Sequence, residues 1–173
     1  MTDAVDALRA WHDFYALLGA GAATLIGAMF VVASIGSSFL TEKHGPQIRA
    51  YMTPNVIHLS TVLIGSALIM VPALDWLAVS VCFGAGGLAG FLYSGRGVWW
   101  MAGQELLLVD RLWYGAIPML GYTVILAAAV LIGLRQPAGV ATLAVGPVLL
   151  LIASIRNSWD LIVFYAQRTD GPT

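Results

Sequence analysis

Residues 14–41 read FYALLGAGAATLIGAMFVVASIGSSFLT, with no charged side chain anywhere in the run. A helix needs about 20 mainly apolar residues to cross the hydrocarbon core of a bilayer, and this stretch exceeds that length. Four further charge-free runs are long enough as well: 50–74, 76–95, 112–134 and 136–155. Backbone N–H and C=O groups in lipid must be satisfied within their own segment, which selects helices. The alternation expected of barrel strands is missing. The expected fold class is therefore all-α, a single transmembrane helical bundle over 1–173 with five spans and a helical tail at 156–168.

Composition points the same way. The chain is 60% hydrophobic and 10% charged, whereas soluble domains carry about a quarter charged residues. Its mean hydropathy of +0.86 suits a lipid surround. The net charge of −1 offers nothing to draw the chain to nucleic acid. The single cysteine, Cys82, excludes an internal disulfide and a multi-cysteine metal site. The N-terminal MTDAVDALRAWHDFY lacks the basic start of a signal peptide, so the first span is expected to be retained.

Tryptophan and arginine place the spans across a membrane. Trp11, Trp76, Trp99, Trp100, Trp113 and Trp159 all fall near the ends of the runs, where indole rings collect at headgroup level. Five spans put Arg9 and Arg135 on one face and Lys43, Arg49, Arg96, Arg111, Arg156 and Arg168 on the other. The positive-inside rule makes the second face cytoplasmic. The N-terminus is then outside and the C-terminus cytoplasmic. The Gly-rich 76–95 is the one run that could re-enter instead of spanning, and re-entry would invert the last two helices. Tight connections are expected at Pro72–Asp75 and Arg135–Pro137, and kinks at Pro118 and Pro147. The 96–111 connection reads as an interfacial segment or an extension of the fourth span.

Small residues recur at helical spacing. Ala16, Ala20, Thr24 and Ala28 form one ridge of the first span and Gly19, Ala23 and Gly27 the adjacent one, while the third span contributes Gly86 and Gly90. Such ridges let helices approach closely. Packing inside one bundle explains most of them, and a homo-oligomer built on one ridge of the first span is the competing reading.

Polar residues inside a membrane raise a functional question by default. The second span carries Tyr51, Asn55, His58 and Thr61 near one face, with Asn55 and His58 at i, i+3. His58 lies ~13 Å along the axis from Arg49 at 1.5 Å per residue, well inside the hydrocarbon layer. At the same end stand Asp110 and Arg111, before the fourth span, and Arg156, Asn157 and Asp160, after the fifth. Arg156 and Asp160 can pair with each other at i, i+4, or cross-pair, Arg156 with Asp110 or Glu105 and Asp160 with Arg111. The expectation is a polar vestibule open to the cytoplasm and reaching Asn55 and His58. Charges at helix ends equally serve packing, and an Asn–His pair can be a satisfied interhelical hydrogen bond.

No cofactor is expected. The three histidines do not converge: His12 is at the outer end of the first span, His44 in a loop and His58 within the second. This disfavours haem within one protomer, and His12 with Asp13 is a weak pair for a divalent ion. His-Glu-x-x-His, Walker and Gly-x-Ser-x-Gly motifs are missing, which argues against an enzyme.

The segments DRLWYGAIPMLGY (110–122) and IRNSWDLIVF (155–164), with WHDFYALLGAGAATLIGAMFVVASI (11–35), resemble small uncharacterised bacterial integral membrane proteins. The resemblance implies a bacterial inner-membrane protein and carries no established activity, so no residue inherits a role from it. The readings left are a small homo-oligomeric channel or carrier for an ion or small solute, and a non-transporting subunit acting through a membrane protein partner. A membrane redox protein is a distant third.

Overall fold

A computed structural model of the chain describes residues 10–35, 45–72, 74–102 and 108–169. These residues form five long helices and, among them, no strand. We number them α1 (His12–Ile35), α2 (Gly45–Ile69), α3 (Trp76–Ala102), α4 (Leu108–Gly133) and α5 (Ala138–Thr169). All five are long and apolar enough to cross a membrane. The fold class expected from composition is thus present as an all-helical bundle. The Gly-rich run at 76–95 lies within one unbroken 27-residue helix, long and apolar enough to cross a membrane. The expected helical tail is continuous with the last span in the 32-residue α5. Residues 103–107 of the 96–111 connection lie outside the described residues.

The helices do not pack in chain order. α1 packs on α2, α2 on α5, α5 on α4 and α4 on α3, with a light contact from α3 back to α2. Helix α5 is the most enclosed and α1 the least. Leu59, Val62, Val79, Phe83, Ile125, Leu143 and Leu150 fill the centre.

Glycine sets the close approaches. A Cβ on Gly146 of α5 would lie 2.9 Å from the Gly121 carbonyl oxygen of α4, and one on Gly121 would lie 3.2 Å from the Gly146 carbonyl oxygen. The two backbones therefore touch without side chains between them, which gains dispersion contact where lipid supplies no hydrophobic drive. On the other side of α4, Gly90 of α3 faces the ring of Tyr122, and Ser80 donates to the Ala129 carbonyl at 2.8 Å.

The connection between α4 and α5 is short for a visible reason. Arg135 adopts φ 57°, the left-handed conformation usually given to glycine after a helix. Its N–H reaches the Ile132 carbonyl and that of Gln136 the Leu131 carbonyl, each at 2.9 Å. This is the Schellman pattern, which satisfies two carbonyls that the helix end leaves open. The guanidinium lies 4.2 Å from the ring centre of Trp76, tying the turn to the start of α3.

Near its other end α4 carries one π-helical turn, Leu112–Ala116, in which the Ile117 N–H bonds to the Leu112 carbonyl. In that i to i+5 register the next donor would be residue 118. Pro118 has no N–H, so the Trp113 carbonyl loses its helical partner.

Candidate functional site

The carbonyl that Pro118 frees is taken up by another helix. Asn157 of α5, 1% exposed, donates its Nδ2 to the Trp113 oxygen at 3.3 Å. We expect Asn157→Leu to lower unfolding free energy by about 1 kcal/mol, because it strands this buried acceptor. In a Pro118→Ala background residue 118 can donate again, and the same substitution should cost clearly less. Unfolding of the four proteins in micelles makes a double-mutant cycle. Additive losses would show that the two residues are not coupled through this carbonyl.

Asn55, on α2, is also 1% exposed and makes a long contact from Nδ2 to Ser158 Oγ of α5, at 3.5 Å. One turn along, His58 is 2% exposed and its Nδ1 lies 2.9 Å from the Tyr122 hydroxyl of α4. Thr61 completes the cluster. Its Oγ1 donates to the Ile57 carbonyl at 2.9 Å and sits 3.3 Å from the same Tyr122 hydroxyl. Tyr93 of α3 stands edge-on to the imidazole, ring centres 6.4 Å apart. Three helices thus enclose His58 with groups that can both donate and accept hydrogen bonds.

Further buried polar atoms have no hydrogen-bond partner among the described residues: Asn55 Oδ1, Asn157 Oδ1 and the hydroxyls of Ser154, Ser66, Ser94 and Tyr15. Orphans of this kind are rare in native interiors and commonly bind water. Ser66 packs against Gly19 of α1, whose Cβ would lie 3.0 Å from Ser66 Cβ.

The charged residues occupy a different zone. Arg156 and Asp160 pair with each other at i, i+4, both partly exposed. Asp110 is partly exposed and Arg111 exposed, at the start of α4. The sequence grouped all of these with Asn55 and His58. The structure separates a half-exposed charged rim from a neutral seam enclosed by packing. The side chain of Tyr51 and residues 36–44, with His44 among them, lie outside the description.

Among the described residues the weak metal pair gains no third ligand. His12 Nδ1 and Asp13 Oδ1 are 3.8 Å apart and well exposed. No group of three His, Cys, Asp or Glu side chains assembles among the described residues.

The small-residue ridges divide unexpectedly. Gly19 is buried against α2, and Gly90 against α4. Ala20, Ala23, Thr24, Gly27, Ala28 and Gly86 are exposed, which corrects the expectation that most of them pack inside the bundle. Thr24 makes no polar demand there, because its hydroxyl bonds back to the Ala20 carbonyl at 2.9 Å.

Sequence reasoning passed over Tyr122, the residue that joins His58 to Thr61. A tyrosine in mid-span, away from the headgroup level that aromatic residues favour, was the available signal. Comparison with protein-family models, curated proteins and solved structures finds no match to this chain.

Proposed function

We propose that the protein is a multi-pass transport protein of the bacterial inner membrane, a small channel or carrier whose path follows the polar seam beside α2. The cross-helix cluster of His58, Tyr122 and Thr61 carries this reading. Burying so many hydrogen-bonding groups in lipid is costly, and apolar side chains would hold the helices together as well. The charged rim of Asp110, Arg111, Arg156 and Asp160 forms the mouth, on the cytoplasmic side by the positive-inside rule. The vestibule expected there opens through the packing around Asn55 by movement of α2 against α5.

His58→Ala in proteoliposomes tests it. Flux should fall by about tenfold, one added barrier of about 1.4 kcal/mol, while the elution volume of the purified protein is unchanged. Wild-type liposomes as tight as empty ones would remove the reading.

A non-transporting subunit is the second reading, favoured by the exposed small-residue face of α1. It also fits the charge distribution: every described charged side chain is at least partly exposed, so no acidic group sits enclosed beside the seam. That reading is served by a partner helix, or a second copy, lying along α1.

A further inference from the structure

We infer that the species carried along the seam is the proton, relayed by imidazole and hydroxyl groups; this rests on the transport reading. The argument starts from chemical type. Between the mouth and the far end of α1 the polar side chains beside the seam include the buried Asn157, Ser154, Asn55, His58, Tyr122, Ser66 and Tyr15 and the half-buried Thr61, eight in all. Six of the eight are hydroxyls or imidazole, each able to accept a proton on one side and release one on the other. None bears a fixed charge. A metal cation needs several oxygen ligands converging on one point, commonly with carboxylate among them. Here the groups are strung along α2 from Asn55 to Ser66, ~17 Å at 1.5 Å per residue. A solute would have to part side chains that are almost wholly enclosed, whereas a proton moves by exchange of bonds.

The centre of the string has the geometry of a relay. The Tyr122 hydroxyl has two neighbours, His58 Nδ1 at 2.9 Å and Thr61 Oγ1 at 3.3 Å. A proton entering at His58 Nε2 gives the imidazolium. Its Nδ1 proton then passes to the Tyr122 oxygen as the Tyr122 hydroxyl proton moves to Thr61 Oγ1. Thr61 releases its own proton, which had pointed to the Ile57 carbonyl, toward Ser66. Each residue gains one proton and gives one up, and the imidazole ends neutral with its proton on Nε2 instead of Nδ1. Rotation of the hydroxyls and transfer of the imidazole proton from Nε2 back to Nδ1 reset the chain. Thr61 meets α4 and Ser66 meets α1, five residues and ~8 Å along the axis apart, so the relay needs water across that interval, for which the unpartnered Ser66 hydroxyl offers an anchor. Tyr93 is the other titratable group facing the imidazole, and no described charged residue is buried beside it.

The test uses the full chain in liposomes with an internal pH dye and a potassium diffusion potential set by valinomycin. Wild type should acidify the lumen, more slowly in D2O, without uptake of labelled sodium or chloride. Tyr122→Phe keeps the ring over Gly90 and removes only the relay oxygen. It should lower the proton rate by about tenfold, a barrier of about 1.4 kcal/mol, with the thermal midpoint held near wild type. An unchanged rate in Tyr122→Phe would overturn the route. Sodium, chloride or solute flux without proton flux would overturn the proton and leave the transport reading intact. No flux of any kind would end both.

Discussion

Gly90→Ala should unfold the protein far more readily than any other single added methyl group on α3. A Cβ at this position would fall 2.0 Å from Tyr122 Cε1 and 2.3 Å from Cδ1 and Cζ. No carbon atoms coexist at that spacing, and the obstacle is the body of a ring rather than a flexible tip. Tyr122 is wholly buried, so the ring cannot swing aside without displacing its neighbours. Overpacking a core typically costs 1–3 kcal/mol and sometimes more. We expect a loss of about 3 kcal/mol, read as the midpoint of denaturant unfolding in micelles. Gly86→Ala is the control: nothing lies within 4 Å of its Cβ, and the change should stay within about 0.5 kcal/mol. In a Tyr122→Leu background the Gly90→Ala penalty should shrink, because the ring is gone. A penalty independent of residue 122 would show that the clash is not with the ring. Moving the ring would also pull its hydroxyl from His58 and Thr61, so under the transport proposal this variant loses flux together with stability.

Gly146→Val should part α4 from α5. The first added atom would sit 2.5 Å from Ile125 Cγ1 and 2.9 Å from the Gly121 carbonyl oxygen. The second obstacle is backbone and cannot rotate away, and the branched side chain allows few rotamers in a helix. We expect at least about 3 kcal/mol of destabilisation. Cysteine pairs placed across the α4–α5 seam should lose their cross-linking yield. Retained cross-linking with wild-type unfolding would mean that the helices do not touch at this crossing.

These two glycines show where sequence reading reached and where it stopped. Charge-free runs identified all five helices, because a charge in lipid is expensive whatever the tertiary fold. Asn55 and His58 stood out for the same reason. Facing was harder. In a soluble helix the polar side marks the outside, but lipid is as apolar as the core and the pattern loses its sign. Small-residue spacing found the ridges of α1 without showing that Gly19 turns inward while Ala20, Ala23, Thr24, Gly27 and Ala28 turn outward. It paired Gly86 with Gly90, although only Gly90 meets a neighbour. Gly121 and Gly146 lie on different helices, and nothing local to either announces the other. Pro118 signalled a disturbance in α4. That the disturbance is a register change, answered by Asn157 from 39 residues further on, depends on how α5 is placed.

The order in which the helices pack differs from the order in which a ribosome makes them. Helix α2 packs chiefly on α1 and next on α5, the last to be synthesised, and its imidazole finds a hydrogen-bond partner only when Tyr122 of α4 emerges. Until then α2 has α1 beside it, with Asn55 and His58 still waiting for their contacts. Helices α3, α4 and α5 can fold onto one another as they appear, each beside its predecessor. The chain is thus divided by its contacts into an N-terminal pair, α1 with α2, and a C-terminal trio in which each helix lies beside its predecessor. The hydrogen-bond contacts that join the two come from residues as far along the chain as Tyr122 and Ser158, so the polar face of α2 cannot be satisfied from its own half.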